Sequence, residues 1–92
     1  MFTVIAFDIV DDRTRYRVVR ALRRYAVRVQ KSVFEAPRLA PNEFQRLRET
    51  LERLIDIEDD VVRYYFLCGS CVPRTEFSGR GQVTRDEEYK VV

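Results

Sequence analysis

The chain has 92 residues, enough for one domain with a core of marginal size, so we expect a homodimer to supply further burial. No apolar run reaches the roughly 18 residues that span a bilayer, no signal-type segment is present, and two cysteines are too few for a disulfide scaffold. These features exclude membrane and disulfide-rich secreted classes and predict a cytoplasmic protein. The net charge of +2 is unevenly distributed along the chain. Residues 1–31 carry eight basic and three acidic side chains, whereas residues 32–92 carry nine basic and twelve acidic ones. We therefore expect an anionic partner on the N-terminal half.

The first predicted element is a strand over Phe2–Ile9 that carries a carboxylate near its end. Alternation places Asp8 in line with Val4, and both faces of the strand are otherwise mostly apolar. A carboxylate in such a row has to be hydrogen-bonded, paired or metal-bound, because burying it alone is costly. Asp8 therefore either bonds the backbone of the next turn or binds a hard cation, Mg²⁺ or Mn²⁺, with Asp11 or Asp12 as a supporting oxygen ligand.

A helix follows the strand, with Asp11 or Asp12 as its cap, and is predicted to extend to about Tyr25. At 100° per residue, Val18 and Leu22 share an apolar side. The opposite side carries arginines without interleaved glutamate, spread over about 16 Å of helix, which matches several phosphate spacings. This pattern predicts a nucleic-acid contact, although many charged helix faces are only solvated. The arginines are Arg13, Arg17, Arg20 and Arg24.

The remaining elements complete a β-α-β-β-α-β order. Residues 27–38 are rich in β-formers and predict one or two short strands, ended by Pro37 and Pro41, and residues 42–56 repeat apolar side chains at helical spacing. An acidic turn then leads into a strand over residues 61–68 that is apolar on both faces. This order is typical of the α+β, ferredoxin-like fold, here over residues 1–78. A second copy packed sheet to sheet would cover the open face and bring two Asp8 side chains near a shared axis.

The chain contains no histidine, so any catalysis has to use carboxylates, arginines, hydroxyls or a hard metal ion. A metal-bound water with arginine support would permit phosphodiester hydrolysis. Cys68 and Cys71 have the spacing of a zinc half-site or a redox pair. Zinc would need two more ligands, which only another copy could supply. Redox use would need a strand-to-helix turn, whereas Pro73 and polar residues follow the pair. We therefore interpret the pair as a structural feature of the strand end.

Several short motifs occur in a fixed order along nearly the whole chain. They include Phe7-Asp8-Ile9 before Asp11-Asp12-Arg13, the block Arg28-Val29-Gln30-Lys31-Ser32-Val33-Phe34-Glu35, and a late Gly79-Arg80. With these motifs the chain resembles the second of the two core CRISPR-associated adaptation proteins, which we call the Cas-two family. The block is the most specific part of the resemblance. The chain departs from the pattern at Ala26, where the family usually has glycine.

The resemblance implies a ferredoxin-like homodimer in which an additional C-terminal strand, within residues 79–92, pairs with the partner's sheet. It implies partnership with the Cas-one integrase on duplex DNA, and Mg²⁺-dependent cleavage of DNA or single-stranded RNA with Asp8 as metal ligand and catalytic residue. Ser32 then either supports Asp8 at the dimer axis or packs within the sheet. Two alternatives stay open: a DNA-bridging scaffold without catalysis, and a toxin-like endoribonuclease of related fold that acts alone.

Overall fold

The structure is a computed structural model that describes residues 1–81. Four strands form one sheet in which the first strand lies between the third and the fourth and the second strand pairs with the third, with every neighbouring pair antiparallel. Both helices belong to the split β-α-β arrangement, so the predicted α+β, ferredoxin-like fold is confirmed. Residues 82–92 lie outside the described part, and with them most of the segment predicted to pair with a partner. The elements are β1 (Phe2–Asp8), α1 (Asp12–Leu22), β2 (Val27–Gln30), β3 (Val33–Ala36), α2 (Pro41–Leu54), β4 (Val61–Leu67) and a short 3₁₀ helix (Val72–Arg74).

Helix α1 ends earlier than the sequence predicted. Its last residue is Leu22, after which the amides of Arg24 and Tyr25 donate to carbonyl oxygens three residues back. Such 3₁₀-type bonds tighten a helix end and satisfy its last carbonyls, which ends the α-helical path. The extension to Tyr25 was therefore wrong, and Arg24 lies in the turn after α1 rather than on the helix itself.

Residues 27–36 form a hairpin whose two-residue turn, Lys31 and Ser32, reaches the end of β1. The Nε atom of the Arg28 guanidinium donates a hydrogen bond to the Lys31 carbonyl oxygen at 3.1 Å. The amide of Phe7 donates to the Ser32 carbonyl oxygen at 3.0 Å, which fixes the turn beside β1. The hairpin therefore places Ser32 next to the strand end that carries Asp8.

Helix α2 begins at Pro41, where the sequence suggested a break and a later start. Proline suits the first helical position because its missing N–H has no partner there. The Glu43 carboxylate completes the start by accepting from the Ala40 amide at 2.9 Å. The helix ends at Leu54, two residues before the predicted end.

The two helices cover one face of the sheet and leave the other open. The fully buried core contains Ile5 and Phe34 from the sheet and Leu22 and Leu51 from the helices. Alternate residues of the strands, such as Val4 and the half-exposed Tyr65, lie on the open face. Neither helix within residues 1–81 is long and apolar enough to cross a membrane.

Candidate functional site

Asp8 is the last residue of β1 and lies between two neighbouring strands. Val61, the first residue of β4, is its partner across the antiparallel ladder. On the other side, the turn at Ser32 is bonded to Phe7, the residue before Asp8. Asp8 belongs to the open face of the sheet, and in the single chain its side chain is exposed rather than buried. A cost of burial at Asp8 would therefore arise only when another molecule covers this face.

The first two acids after β1 are occupied by local bonds. Asp11 caps α1, accepting from the Thr14 amide at 2.8 Å and from the Thr14 hydroxyl at 3.1 Å. The bond from the Thr14 amide, followed by that from its hydroxyl, lowers the pKa of Asp11 below its ordinary value. Asp12 forms an ion pair with Arg15 one turn later. Asp11 therefore acts in this chain as a helix cap, and its support of a metal ion stays a prediction.

A third acid, Asp60, holds the loops around β1 together. Its Oδ1 accepts from the Val10 amide at 3.0 Å and its Oδ2 from the Asp56 amide at 2.9 Å. In contrast, the Asp8 carboxylate accepts no hydrogen bond from residues 1–81, so the backbone-cap interpretation of Asp8 has no support there. Asp8 is thus the acid at this strand end that is open to an external ligand.

The donor set restricts which metal site is possible. In the part of the chain that the structure describes, no three His, Cys, Asp or Glu side chains lie close enough to hold a metal ion. A single chain therefore offers Asp8 at most one further protein ligand of these types within the described residues. Such a site fits Mg²⁺, which commonly keeps several waters and binds through one or two carboxylates together with phosphate oxygens. Another copy of the chain could supply a further carboxylate.

Two further residues shape the loop beside Asp8. Ser32 is half-buried, and its contact with β1 is made by the backbone carbonyl, so a role for its hydroxyl stays a prediction. Arg15, which was not among the predicted site residues, donates from Nη2 to the Ile9 carbonyl oxygen at 2.8 Å. Arg15 therefore orders the segment that follows Asp8. In the sequence, the spacing of three residues between Asp12 and Arg15 indicates that the two side chains can pair on one side of a helix.

Three of the four predicted arginines line one groove. Arg17, Arg20 and Arg24 face the groove of about 310 Å³ between α1 and α2, although Arg24 lies beyond the helix end. Arg13 is exposed near the start of α1 but does not line this groove. The Arg20 guanidinium lies 5.9 Å from the centre of the Tyr16 ring, in the range of a cation–π contact.

A second basic groove, of about 400 Å³, lies on the other side of α1. Arg15, Arg20 and Arg23 line it from α1 and the turn that follows, and Arg28 lines it from β2. Because Arg20 belongs to both grooves, the basic surface continues around the exposed side of α1. The sequence did not point to Arg28, because its position beside α1 depends on how the hairpin packs.

The two cysteines lie in the turn that joins β4 to the short 3₁₀ helix. Cys68 follows the last residue of β4, and Cys71 directly precedes Val72. Within the described residues, a 3₁₀ helix of three residues follows the pair and no α-helix does, so the interpretation of the pair as a feature of the strand end stays a prediction. The helix is short, and its presence could not be inferred from the polar residues after Pro73.

The chain thus belongs to the class of small ferredoxin-like domains, with a carboxylate at the end of the first strand and a basic first helix. The family model described as "CRISPR associated protein Cas2" matches residues 1–75. The chain belongs to this Cas2 family, and the predicted resemblance to the Cas-two proteins is confirmed.

Named relatives cover almost all of the chain. It is 45% identical over 92 residues to "CRISPR-associated endoribonuclease Cas2 3" of Chloroflexus aurantiacus, covering 100% of this chain and 98% of the relative. The crystal structure of Streptococcus pyogenes Cas2 matches with a TM-score of 0.78 at 28% identity, over 86% of this chain and 100% of that chain. A chain of a partial Cas6-RT-Cas1–Cas2 complex matches with a TM-score of 0.72 at 28% identity, over 83% and 82% of the two chains.

Proposed function

We propose that this chain acts in CRISPR spacer acquisition, as a cytoplasmic homodimer that binds duplex DNA together with the Cas1 integrase. Membership of the Cas2 family supports the role. The similarity to a chain from a complex whose name includes Cas1 supports the partnership. The exposed apolar side chains of Val61 and Tyr65 on the open face support a dimer, because a second copy would cover them.

The observation that carries DNA binding is the basic surface around α1. Within residues 1–81, the side chains of Arg17 and Arg20 form no ion pair with a carboxylate, so their charge is available to an external anion. Leu22, fully buried on the opposite side, fixes the orientation of α1. A helix of fixed orientation that presents unpaired guanidinium groups in a row suits the regularly spaced phosphates of a duplex, and binding would release condensed counterions.

The salt dependence of duplex binding tests this proposal. We expect the double variant Arg17→Ala/Arg20→Ala to bind more weakly and to reduce the slope of log affinity against log salt by about 2, since each lost phosphate contact removes about 0.9. Arg48→Ala is the matched control, because Arg48 is exposed on α2 and already paired with Glu52 at 3.0 Å. A slope that the double variant leaves unchanged would exclude this surface as the DNA contact.

We further propose that the dimer hydrolyses phosphodiester bonds in RNA or DNA with Mg²⁺ or Mn²⁺. The relatives named endoribonucleases support nuclease activity in general. Asp8 is the residue that would hold the ion, since its carboxylate is exposed and accepts no hydrogen bond within the described part. A bound ion would supply Lewis acidity and an activated water. The arginines near the strand end would hold the phosphate and stabilise its developing charge.

Cleavage assays on single-stranded RNA and duplex DNA test the catalytic part. We expect Asp8→Asn to lower Mg²⁺-dependent cleavage to the level of wild type in EDTA. Asp59→Asn is the control, because it removes the same charge from an exposed residue in the turn before β4. Equal cleavage by wild type and Asp8→Asn would refute the assignment of Asp8. DNA binding that survives in Asp8→Asn would support a scaffold role without catalysis.

A further inference from the structure

The turn after β4 carries two cysteines that the proposed nucleic-acid function does not use. Cys68 and Cys71 are exposed free thiols with 3.1 Å between their sulfur atoms. The backbone holds them together, because the Cys68 carbonyl oxygen accepts from the Cys71 amide at 3.0 Å and from the Val72 amide at 3.2 Å. The short distance between the sulfurs therefore follows from the fold of the turn.

The two thiols differ in their surroundings. The Cys68 sulfur lies 3.2 Å from the Ser70 hydroxyl oxygen and shares a hydrogen bond with Cys71. Hydrogen bonds from the Ser70 hydroxyl and the Cys71 thiol lower the pKa of Cys68 to about 7. The hydrogen bond with Cys68 raises the pKa of Cys71. At neutral pH, about half of Cys68 is therefore thiolate while Cys71 keeps its proton, which gives the pair an attacking and a resolving thiol.

The turn also has room for the sulfurs to approach each other. A disulfide bond is about 2.05 Å long, so the sulfurs would have to move closer by about 1 Å. Both side chains are exposed, and a Cβ added at Gly69 would meet no atom within 4 Å, so the two intervening residues have open space around Gly69. Closing the bond therefore requires no displacement of the core.

We propose that Cys68 and Cys71 form a reversible intrachain disulfide by exchange with a small-molecule disulfide of the glutathione class. The Cys68 thiolate attacks one sulfur of the small disulfide, whose S–S bond breaks, and a small thiolate leaves. That thiolate takes the proton of Cys71, which then attacks the Cys68 sulfur of the mixed disulfide. The second small thiolate leaves and takes a proton from solvent. Two protein thiols are oxidised, and one small disulfide is reduced to two thiols.

The position of the pair gives the modification a structural consequence. Residues 68–71 are the connection between β4 and the segment that begins with Val72. The disulfide would close a ring across this connection and restrict its backbone. Oxidation therefore acts on the path by which the C-terminal part of the chain leaves the sheet.

The test uses the full chain in glutathione redox buffers, with alkylation of free thiols and mass spectrometry of the intact protein. We expect oxidation to remove both thiols of one chain with the loss of two hydrogen masses, and dithiothreitol to restore them. Of the single variants, Cys71→Ser keeps Cys68 and Cys68→Ser keeps Cys71. At pH 7 we expect Cys71→Ser to form a mixed disulfide with glutathione about fivefold faster than Cys68→Ser. The larger thiolate fraction of Cys68 outweighs the lower nucleophilicity of its thiolate.

Several results would overturn the proposal. They are thiols that stay reduced in fully oxidised glutathione, disulfides that join two chains on a non-reducing gel, and equal rates for the two single variants. Zn²⁺ bound at one ion per two chains, with all four thiols protected from alkylation, would instead assign the pair to a metal site. Circular dichroism of both variants provides the control for folding, which we expect to be unchanged because the side chains are exposed.

Discussion

The carboxylate of Asp60 accepts a hydrogen bond from the backbone amide of Val10, with 3.0 Å between Oδ1 and N, and so joins segments fifty residues apart in the chain. Its other oxygen accepts from the Asp56 amide at 2.9 Å. These bonds connect the loop after β1 with the turn before β4. Asp8 directly precedes the loop after β1 and pairs with Val61, which follows Asp60, so these bonds brace the strand end that carries the candidate metal ligand.

We expect Asp60→Ala to destabilise the protein by about 1–2 kcal/mol, because two backbone amides lose their acceptor. For a domain of this size, thermal unfolding should shift downward by roughly 5–15 °C. Asp59→Ala is the control, since the Asp59 side chain accepts no hydrogen bond within residues 1–81. Equal melting temperatures for the two variants, measured by circular dichroism, would contradict the importance of the Asp60 bonds.

The open face of the sheet gives a prediction about assembly. Tyr65 is 47% exposed there and lies opposite Val4 in the strand register. A charge at this position would be desolvated in the proposed sheet-to-sheet dimer, so we expect Tyr65→Asp to shift the protein from the proposed dimer to a monomer of 11.0 kDa. Light scattering after size-exclusion chromatography measures the mass. Tyr16→Asp, at a 62% exposed position on α1, should remain dimeric; a dimeric Tyr65→Asp would argue against sheet-to-sheet packing.

The thiol of Cys68 should show an unusual pH profile. Since the pKa of Cys68 is lowered to about 7, first by the Ser70 hydroxyl, its alkylation rate should reach half of its maximum near pH 7. The thiolate dominates above that pH and is lost below it. Removing the hydroxyl in Ser70→Ala should move the midpoint toward the ordinary thiol value of 9.0. The measurement is the rate of iodoacetamide labelling at Cys68 as a function of pH. The same midpoint in the wild type and in Ser70→Ala would contradict this prediction.

Much of the fold could be predicted because neighbouring residues encode it. The strand ending at Asp8 and the apolar side of α1 follow from side-chain alternation and helical spacing. The helix ends were less predictable. Helix α1 ends at Leu22 because the amides of Arg24 and Tyr25 bond to carbonyls three residues back. Helix α2 begins at Pro41 because the neighbouring Ala40 and Glu43 form a cap. Both outcomes depend on local bonding geometry that periodicity does not specify.

The sequence by itself determined that a carboxylate ends the first strand and that arginines share one side of the first helix, since both follow from the period of a strand or a helix. Only the tertiary structure decided which acids remain open to a ligand. Asp60 is engaged by the distant Val10 amide, whereas Asp8 is left unbonded within the described residues. The tertiary structure also brought Arg28 beside α1. The physical reason is that hydrogen-bond partners and groove walls depend on contacts between segments that are distant in the chain.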